Sequence, residues 1–202
     1  IRWSDPEFAA DGLWRSLSEP IRARLFESQD GYLDWNCYQV NSEVELIFEG
    51  RKLKGDGYVE QLISTIFPWH LPMDELRWGR YGSYQNQLVW IEWKEKQNRQ
   101  WLWMNNLPVI DGRISDNLIE MPHQDSKLLL KKVATLESEK KISSLISKIS
   151  RFIPGIGNWI PLHFLVADEH KWISKGQIFQ NNQLMDEGMA IHEYVDFRKS
   201  KQ

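Results

Sequence analysis

Apolar residues are concentrated between Glu75 and Asn106, and five of the eleven tryptophans lie in this stretch. Residues 87–94 are rich in aromatic and β-branched side chains, which is typical of a strand. Lys96-Gln97-Asn98 is polar enough for a hairpin tip, and residues 99–104 return as a second strand, in which Trp101 and Trp103 share a face at a period of two. The pattern predicts a β-meander with a tryptophan-rich core.

The strand predicted over residues 87–94 has one face that carries Val89, Ile91 and Trp93 and a second face that changes in character. Leu88 and Trp90 share this second face with Glu92 and Lys94. Because the face turns polar towards the hairpin tip, we expect the strand to leave the core there. The tryptophans that we expect in the core are Trp90 and either Trp101 or Trp103.

Three segments have patterns typical of helices. Ser4-Asp5-Pro6-Glu7 has the capping residue, proline and acids of a helix start, and an apolar set follows over residues 8–17. Residues 59–67 carry apolar side chains at the i, i+3, i+4, i+7 and i+8 positions, and Pro68 ends that pattern. Residues 126–152 combine an interrupted apolar face with many lysines.

The remaining periodic segments favour strands, so the predicted fold class is α+β. Further strands are predicted over residues 32–40, 44–48, 160–167, 172–179 and 189–197. We expect an antiparallel-sheet-rich single domain over residues 1–202. The basic helical segment at about residues 126–152 is inserted between its two sheet-forming parts.

Length and composition narrow the class of protein. A chain of 202 residues with 42% hydrophobic content can bury a sizeable core, and one domain is the default. No apolar run approaches the roughly 18 residues that a membrane span needs, so no membrane partner is predicted. The single cysteine, Cys37, forms no internal disulfide and fits a reducing cytoplasm.

Charge is unevenly distributed, although the net charge is only −3. Residues 1–76 carry 7 basic and 14 acidic side chains, residues 77–113 carry 6 and 3, and residues 126–151 carry 7 and 2. A protein with an acidic N-terminal segment and two basic segments can bind different partners on different sides. Ordinary solvated faces explain the same pattern equally well.

No motif of catalysis or metal binding stands out. The five histidines are scattered, and no pair has the spacing of a zinc motif. His192, Glu193 and Asp196 form the densest group, which a metal or acid–base site could use. Cys37 lies in an apolar strand, where a cysteine is usually a small core residue. We therefore predict no catalytic residue, no metal site, no cofactor and no enzyme activity.

Basic and aromatic residues are interleaved along the meander, and this is the feature that points to nucleic acid. Cations neutralise phosphates, and exposed aromatic faces stack on unpaired bases. The alternative is a hairpin with core tryptophans and cations around its edge. The predicted RNA-binding residues are Arg77, Arg80, Lys94, Lys96 and Arg99.

Two segments resemble an accessory protein family of type III-D CRISPR effector complexes. They are Leu71-Pro72-x-x-Glu75-Leu76-Arg77-Trp78-Gly79, leading into Val89-Trp90, and His192-Glu193-Tyr194-Val195-Asp196. The resemblance implies a non-catalytic subunit of an antiviral RNA-guided ribonucleoprotein. It would dock on large protein subunits of the complex, with guide RNA as a further contact.

Two other functions remain open. One is a free-standing cytoplasmic protein-binding module of the inhibitor or immunity type. The other is a metal-dependent hydrolase that uses the region of His192 and Asp196.

Overall fold

A computed structural model describes residues 1–141 and 167–198, and all the strand pairs among them are antiparallel. Contacts between Cα atoms divide the chain into two compact units, Ile1–His70 (unit 1) and Leu71–Gln202 (unit 2). The single domain over residues 1–202 stays a prediction. No helix in the described part of the chain is long and apolar enough to cross a membrane.

Unit 1 is a five-stranded sheet built around one long strand. Its strands are β1 (Arg2–Asp5), β2 (Ala10–Ser16), β3 (Ile21–Ser28), β4 (Gly31–Phe48) and β5 (Arg51–Ser64). Strand β4 pairs with β3 through its first half, with β2 through its second half and with β5 along its whole length. Trp35, Cys37 and Val40 lie buried along β4, so Cys37 is a buried free thiol, as predicted.

Unit 2 is a nine-stranded sheet whose two ends are close together in the chain. Its strands are β6 (Glu75–Gly82), β7 (Gln87–Lys94), β8 (Arg99–Met104), β9 (Leu107–Pro108), β10 (Arg113–Ile114), β11 (Leu118–Met121), β12 (Ser126–Lys141), β13 (Asp168–Gln180) and β14 (Gln183–Asp196). The spatial order is β10-β11-β12-β13-β14-β6-β7-β8-β9.

The sheet of unit 2 curls around an apolar interior. Its edge strands β9 and β10 are separated by only residues 109–112, and side chains from both edges pack with side chains from the middle of the sheet. We call the face that carries them the interior face. Its apolar cluster comprises Tyr81, Leu88, Trp90, Leu102, Val109, Ile114, Ile119, Met121, Leu128, Leu130, Ile178 and Ala190.

The α+β prediction is wrong, because the described residues hold no helix longer than the three-residue turns Pro68–His70 and Pro122–Gln124. Residues 4–17 form β1, β2 and the turn between them. Residues 59–64 belong to β5, where Leu62 and Ile63 are exposed, so the helical spacing marks no buried face.

The predicted basic helix is also a strand over its described part. Ser126–Lys141 is β12, and residues 142–152 lie outside the described residues. Leu128 and Leu130 alternate into the interior, whereas Leu129 and Val133 are exposed. The pairing of β12 with β13 shifts in register after Lys132. The apolar residues of β12 therefore lose their period of two, and their spacing resembles that of a helix.

The predicted meander is confirmed. Residues 87–94 and 99–104 are β7 and β8, which pair antiparallel around the polar tip. Trp90 and Trp103 are buried, as predicted for the core. The strands predicted over residues 172–179 and 189–197 fall within β13 and β14. Of the strand predicted over residues 160–167, all but Ala167 lies outside the described residues.

Candidate functional site

The interior face of unit 2 changes from apolar to charged along its strands. Strand β7 places Leu88, Trp90, Glu92 and Lys94 on this face in turn. The expectation that β7 leaves the core at its polar residues is wrong, since Glu92 is only 6% exposed. Carboxylates and basic groups therefore share the interior with aromatic rings.

Eight ionisable side chains and a tyrosine come together at this end of the interior. We call them the charged cluster: Glu75, Arg77, Glu92, Lys94, Asp116, Lys132, Tyr194, Asp196 and Arg198. Strands β14, β6 and β7 supply most of them, because Asp196, Glu75 and Lys94 lie side by side in the ladder. The next row contains Tyr194, Arg77 and Glu92.

Arg77 is the centre of this network. Its Nη1 atom lies 2.8 Å from Glu75 Oε2 and 3.2 Å from Glu92 Oε2, and its Nε atom donates to Asp116 Oδ1 at 2.7 Å. The guanidinium also lies 4.6 Å from the centroid of the Tyr194 ring. Asp116 belongs to the turn between β10 and β11, so Arg77 bridges strands that are far apart in the sheet.

Burial and charge separate the pKa values of the acids in the cluster. Burial raises the pKa of Glu92, against the opposing effect of Lys94 and Arg77. The hydrogen bond from Arg198 lowers the pKa of Asp196 to about 2. Glu92 and Asp196, which lie on strands separated by β6, are thus held in different environments on one face, as in sites where proton transfer occurs.

Tyr194 is held in its protonated form. Burial, together with the nearby charges of Glu75 and Asp196, raises the pKa of its phenol to about 12. The hydroxyl donates to Asp196 Oδ2 at 3.3 Å and accepts from Arg198 Nη2 at 3.3 Å. Tyr194 is therefore a hydrogen-bond donor at physiological pH.

His192 lies between the charged cluster and the apolar cluster. Its ring centroid is 5.2 Å from that of Trp172 and 6.3 Å from that of Trp90. Its Nε2 atom lies 2.8 Å from the hydroxyl of Ser174. Burial, reinforced by the charge of Lys132, lowers the pKa of His192 to about 4, so the imidazole is neutral near pH 7.

Lys132 and Trp172 form the more accessible part of this region. The ammonium of Lys132 lies 3.3 Å from the centre of the Trp172 indole ring, a cation–π contact. Although much of Lys132 is exposed, its ammonium loses water where it meets the ring, and this burial lowers its pKa. His170 stacks on the same indole with centroids 5.7 Å apart and an interplanar angle of 3°.

Gly79 makes the arrangement of aromatic rings possible. A Cβ atom at this position would clash with the indole of Trp90 and would lie 2.6 Å from Cβ of His192. The absence of a side chain on β6 therefore lets Trp90 lie across the strand next to His192.

Arg77 and Lys94, two of the five predicted RNA-binding residues, belong to the charged cluster. The Arg77 side chain is 14% exposed and pairs with three carboxylates, and Lys94 Nζ lies 3.7 Å from Glu92 Oε2. Both cations are committed to carboxylates within unit 2.

The other three predicted RNA-binding residues lie apart from that cluster. Arg80 is on the opposite face of β6, and Lys96 is exposed at the β7–β8 tip. Arg99 pairs with Glu95 at 3.0 Å and lies 5.8 Å from the Trp93 ring. Contact with RNA by these five cations stays an untested prediction.

His192 and Asp196, the basis of the hydrolase alternative, both project from β14 to the interior face. Tyr194 lies between them, and Asp196 is bound to Arg198. Among residues 1–141 and 167–198, no group of three metal-ligating side chains is present.

Sequence reasoning missed Ser174, Trp172, Tyr194 and Lys132 as site residues. A weak signal was available for β14, because His192, Tyr194 and Asp196 alternate at a period of two on a strand. No local signal marked Lys132 or Ser174, since the register of β12, β13 and β14 brings them together.

Comparison with known proteins shows what the fold resembles. No protein-family model and no curated protein matches the sequence. The chain is similar in structure to CghA with Sch210972 (TM-score 0.56, 12% identity) over 96% of this chain and 63% of that one. It is also similar to kievitone hydratase from Nectria haematococca, with a TM-score of 0.53 and 10% identity over 96% of this chain and 64% of that one. An AttH protein from Nitrosomonas europaea matches with a TM-score of 0.53 and 8% identity, over 97% of this chain and 64% of that one.

These similarities correct the predicted function. The chain spans a little under two thirds of the length of each of these structures, and the low identities show a shared fold alone. The fold is not that of a CRISPR subunit, so the predicted role in an RNA-guided complex is wrong. The protein-binding module and the metal-dependent hydrolase gain no support. Contacts with large subunits or guide RNA, and the resemblance itself, stay untested.

The expectation of a non-catalytic chain is overturned as well, because the fold is shared with a protein named as a hydratase. Fold alone assigns no reaction. What the comparisons show for this chain is a fold shared with CghA, kievitone hydratase and AttH.

Proposed function

We propose that unit 2 binds a small, neutral organic molecule at the charged cluster and converts it by acid–base chemistry. The reaction class is addition or loss of water, or ring closure. The observation that carries this proposal is that aromatic rings and two carboxyl groups whose pKa values are shifted in opposite directions lie on one interior face. The hydratase name of one structural neighbour supports the reaction class by analogy.

The body of the ligand is recognised by aromatic surface. Trp172 and Tyr194 are half-buried, whereas Trp90 and His192 lie behind them. Flat ring faces of this kind favour a planar or cyclic apolar ligand, which gains contact area when it displaces water.

The charges of the cluster favour a neutral ligand. The cations Arg77, Lys94, Lys132 and Arg198 are matched in number by the anions Glu75, Glu92, Asp116 and Asp196. Most of these groups are joined in pairs, for example Arg198 with Glu75 at 2.7 Å. A charged ligand would have to break a pair, whereas a carbonyl or hydroxyl group can bind beside one.

Proton transfer is assigned to Glu92. Burial raises its pKa above the ordinary value of a glutamate, which is the direction that favours a group that both accepts and returns a proton. Arg77 at 3.2 Å and Lys94 at 3.7 Å stabilise the carboxylate once it has lost its proton. Tyr194 remains protonated, and its single hydroxyl proton, which is donated to Asp196 in the unbound chain, turns to a ligand oxygen on binding.

The test uses kievitone and Sch210972, the two compounds named with the structural neighbours, as probes. Binding is followed by quenching of tryptophan fluorescence, and turnover of kievitone by a change of one water in product mass. We expect Trp172→Leu to weaken binding at least tenfold. Glu92→Gln should preserve binding and abolish turnover.

The matched control is Trp101→Leu, which removes an indole from the opposite face of the same sheet. It should leave binding unchanged. Equal effects of Trp172→Leu and Trp101→Leu would reject the site. Binding without turnover in the wild-type chain would reject catalysis and leave a carrier of small molecules.

We also place the protein in the cytoplasm. Cys37 is a buried free thiol, which a reducing compartment preserves. Fractionation of cells that express the native chain tests this, and recovery outside the cytoplasm would reject it.

A further inference from the structure

A cavity of about 340 Å³ opens at the end of unit 2 opposite the charged cluster. Its lining residues are Gln85, Asn86, Met104, Gln124, Ser126, Ile178, Gln180 and Met185. They come from the β6–β7 turn, the β11–β12 turn and the strand ends nearby, whereas the charged cluster lies at the start of β6 and the ends of β7 and β14. The volume is in the range of small-molecule pockets in proteins, which begins at about 300 Å³.

The floor of the cavity is apolar. Ile178 belongs to the apolar cluster, and Met104 packs against that cluster. Ser126 is buried beside them, with its hydroxyl donating to the backbone oxygen of Gln124 at 2.9 Å. A ligand that reaches the floor meets a hydrophobic surface continuous with the core.

The rim of the cavity consists of carboxamides and carries no charged side chain. Its carboxamides are those of Gln85, Asn86, Gln124 and Gln180, each with one carbonyl oxygen and one amino group. The amino group of Gln180 donates one hydrogen bond to the backbone oxygen of Gln124 at 3.2 Å, and its second N–H is available to a ligand. A carboxamide donates and accepts at the same time, so it suits hydroxyl and amide groups. An ion gains little from such a rim, because no opposite charge compensates for its loss of water.

One side of the rim is held firmly in place. Asp186 Oδ2 accepts hydrogen bonds from Tyr81 Oη at 3.0 Å, from Ser83 Oγ and from Asn86 Nδ2 at 2.9 Å. Asn86 Oδ1 in turn accepts from Asn105 Nδ2 at 3.0 Å. The carboxamide of Asn86 is thereby oriented before any ligand arrives, which lowers the entropy lost on binding.

We propose that this cavity is a second binding site, for a neutral single-ring molecule that carries hydroxyl and amide groups. Its apolar ring face lies on Met104 and Ile178, and its polar groups bind the carboxamide rim. The site is independent of the acid–base site at the other end of the interior.

The test is a titration of the full chain with N-acetylglucosamine, followed by the side-chain NH₂ signals of asparagine and glutamine in NMR spectra. Glucosamine and glucuronic acid serve as cationic and anionic counterparts of similar size. We expect saturable shifts at Gln85, Asn86, Gln124 and Gln180. Binding of the two charged sugars should be at least fivefold weaker.

Variants locate the site. The double variant Gln124→Ala/Gln180→Ala should weaken binding about tenfold, as expected for the loss of two hydrogen-bonding groups. The matched control Gln177→Ala removes a carboxamide from the opposite face of β13 and should bind as the wild type does. Dispersed backbone spectra confirm that each variant is folded.

Three results would overturn the proposal. They are the absence of shifts at millimolar N-acetylglucosamine, equal or tighter binding of a charged sugar, and unchanged affinity in the folded double variant. Any one of them means that the cavity does not select neutral hydroxyl and amide groups.

Discussion

Ser174 and His192 are joined by a 2.8 Å hydrogen bond although neither lies directly opposite the other in the sheet. The ladder pairs Ser174 with Ala190 and His192 with Trp172, so the bond runs diagonally between β13 and β14. Ser174 and His192 are 0% and 3% exposed. Water therefore cannot replace either partner, and the bond fixes the ring beside Trp90 and Trp172.

Loss of the Ser174 hydroxyl should destabilise the protein. Ser174→Ala leaves Nε2 of a buried imidazole without this partner, which costs about 1–3 kcal/mol of unfolding free energy. Urea denaturation measures the change. Ser115→Ala is the control, because it removes an exposed hydroxyl that bonds to the Leu118 oxygen at 2.8 Å. Equal effects of the two variants would contradict the structural role of Ser174.

His192 should make stability depend on pH in the mildly acidic range. Its pKa is about 4 in the folded chain, against an ordinary value of 6.5, so between these values the unfolded state binds more protons. The unfolding free energy therefore falls as pH drops through this window, by about 2 kcal/mol between pH 7 and pH 5. Asp196, with a pKa of about 2, contributes only at lower pH.

Denaturation midpoints at pH 7 and pH 5 test this dependence. His192→Gln should lose less stability between the two pH values than the wild type does. Ser115→Ala, which removes an exposed hydroxyl and no titratable group, should retain the wild-type dependence. The assignment fails if His192→Gln retains the full wild-type dependence, because another group would then be titrating.

Two glycines of the same strand should respond differently to alanine. At Gly79 a methyl group would meet the Trp90 indole and Cβ of His192, whereas at Gly82 nothing lies within 4 Å. Gly79→Ala should lower the unfolding free energy by about 1–3 kcal/mol through overpacking. Gly82→Ala should be neutral or slightly stabilising, because it restricts the unfolded chain. Similar changes at both positions would show that Trp90 does not lie against β6.

The meander was predictable because its information is local. Residues 87–94 are rich in aromatic and β-branched side chains, and the polar tip fixes the turn, so strand composition and turn chemistry agree. The helical segments failed for the opposite reason. In β12, Leu128 and Leu130 point inwards while Leu129 is exposed, and the register shifts that follow leave apolar residues at mixed spacing.

The charged cluster could not be predicted, because its contacts are long-range. Arg77 meets Asp116 across 39 residues, and Glu75 meets Arg198 from the other end of the unit. The change from Leu88 and Trp90 to Glu92 was visible in the sequence. From the sequence alone, this change indicated that the strand leaves the core, since only the curled sheet shows that both sets of side chains point inwards.

Arg77 and Glu92 should be strongly coupled. Arg77→Met leaves the Glu92 carboxylate buried without its nearest cation, which costs about 3–5 kcal/mol and raises the pKa of Glu92 further. The double variant Arg77→Met/Glu92→Gln removes both charges, so it should be more stable than the sum of the single changes predicts. A coupling energy of about 1 kcal/mol or more is expected from the complete cycle of denaturation measurements.

The exposed pair Arg2–Asp11 supplies the control cycle, because its 2.8 Å contact joins side chains that are 73% and 37% exposed. Water screens that pair, so Arg2→Met and Asp11→Asn should show no measurable coupling. If the two cycles gave the same coupling, the interior face would be as well hydrated as the outer surface. The raised pKa of Glu92, and with it the proton transfer assigned to this residue, would then lose its physical basis.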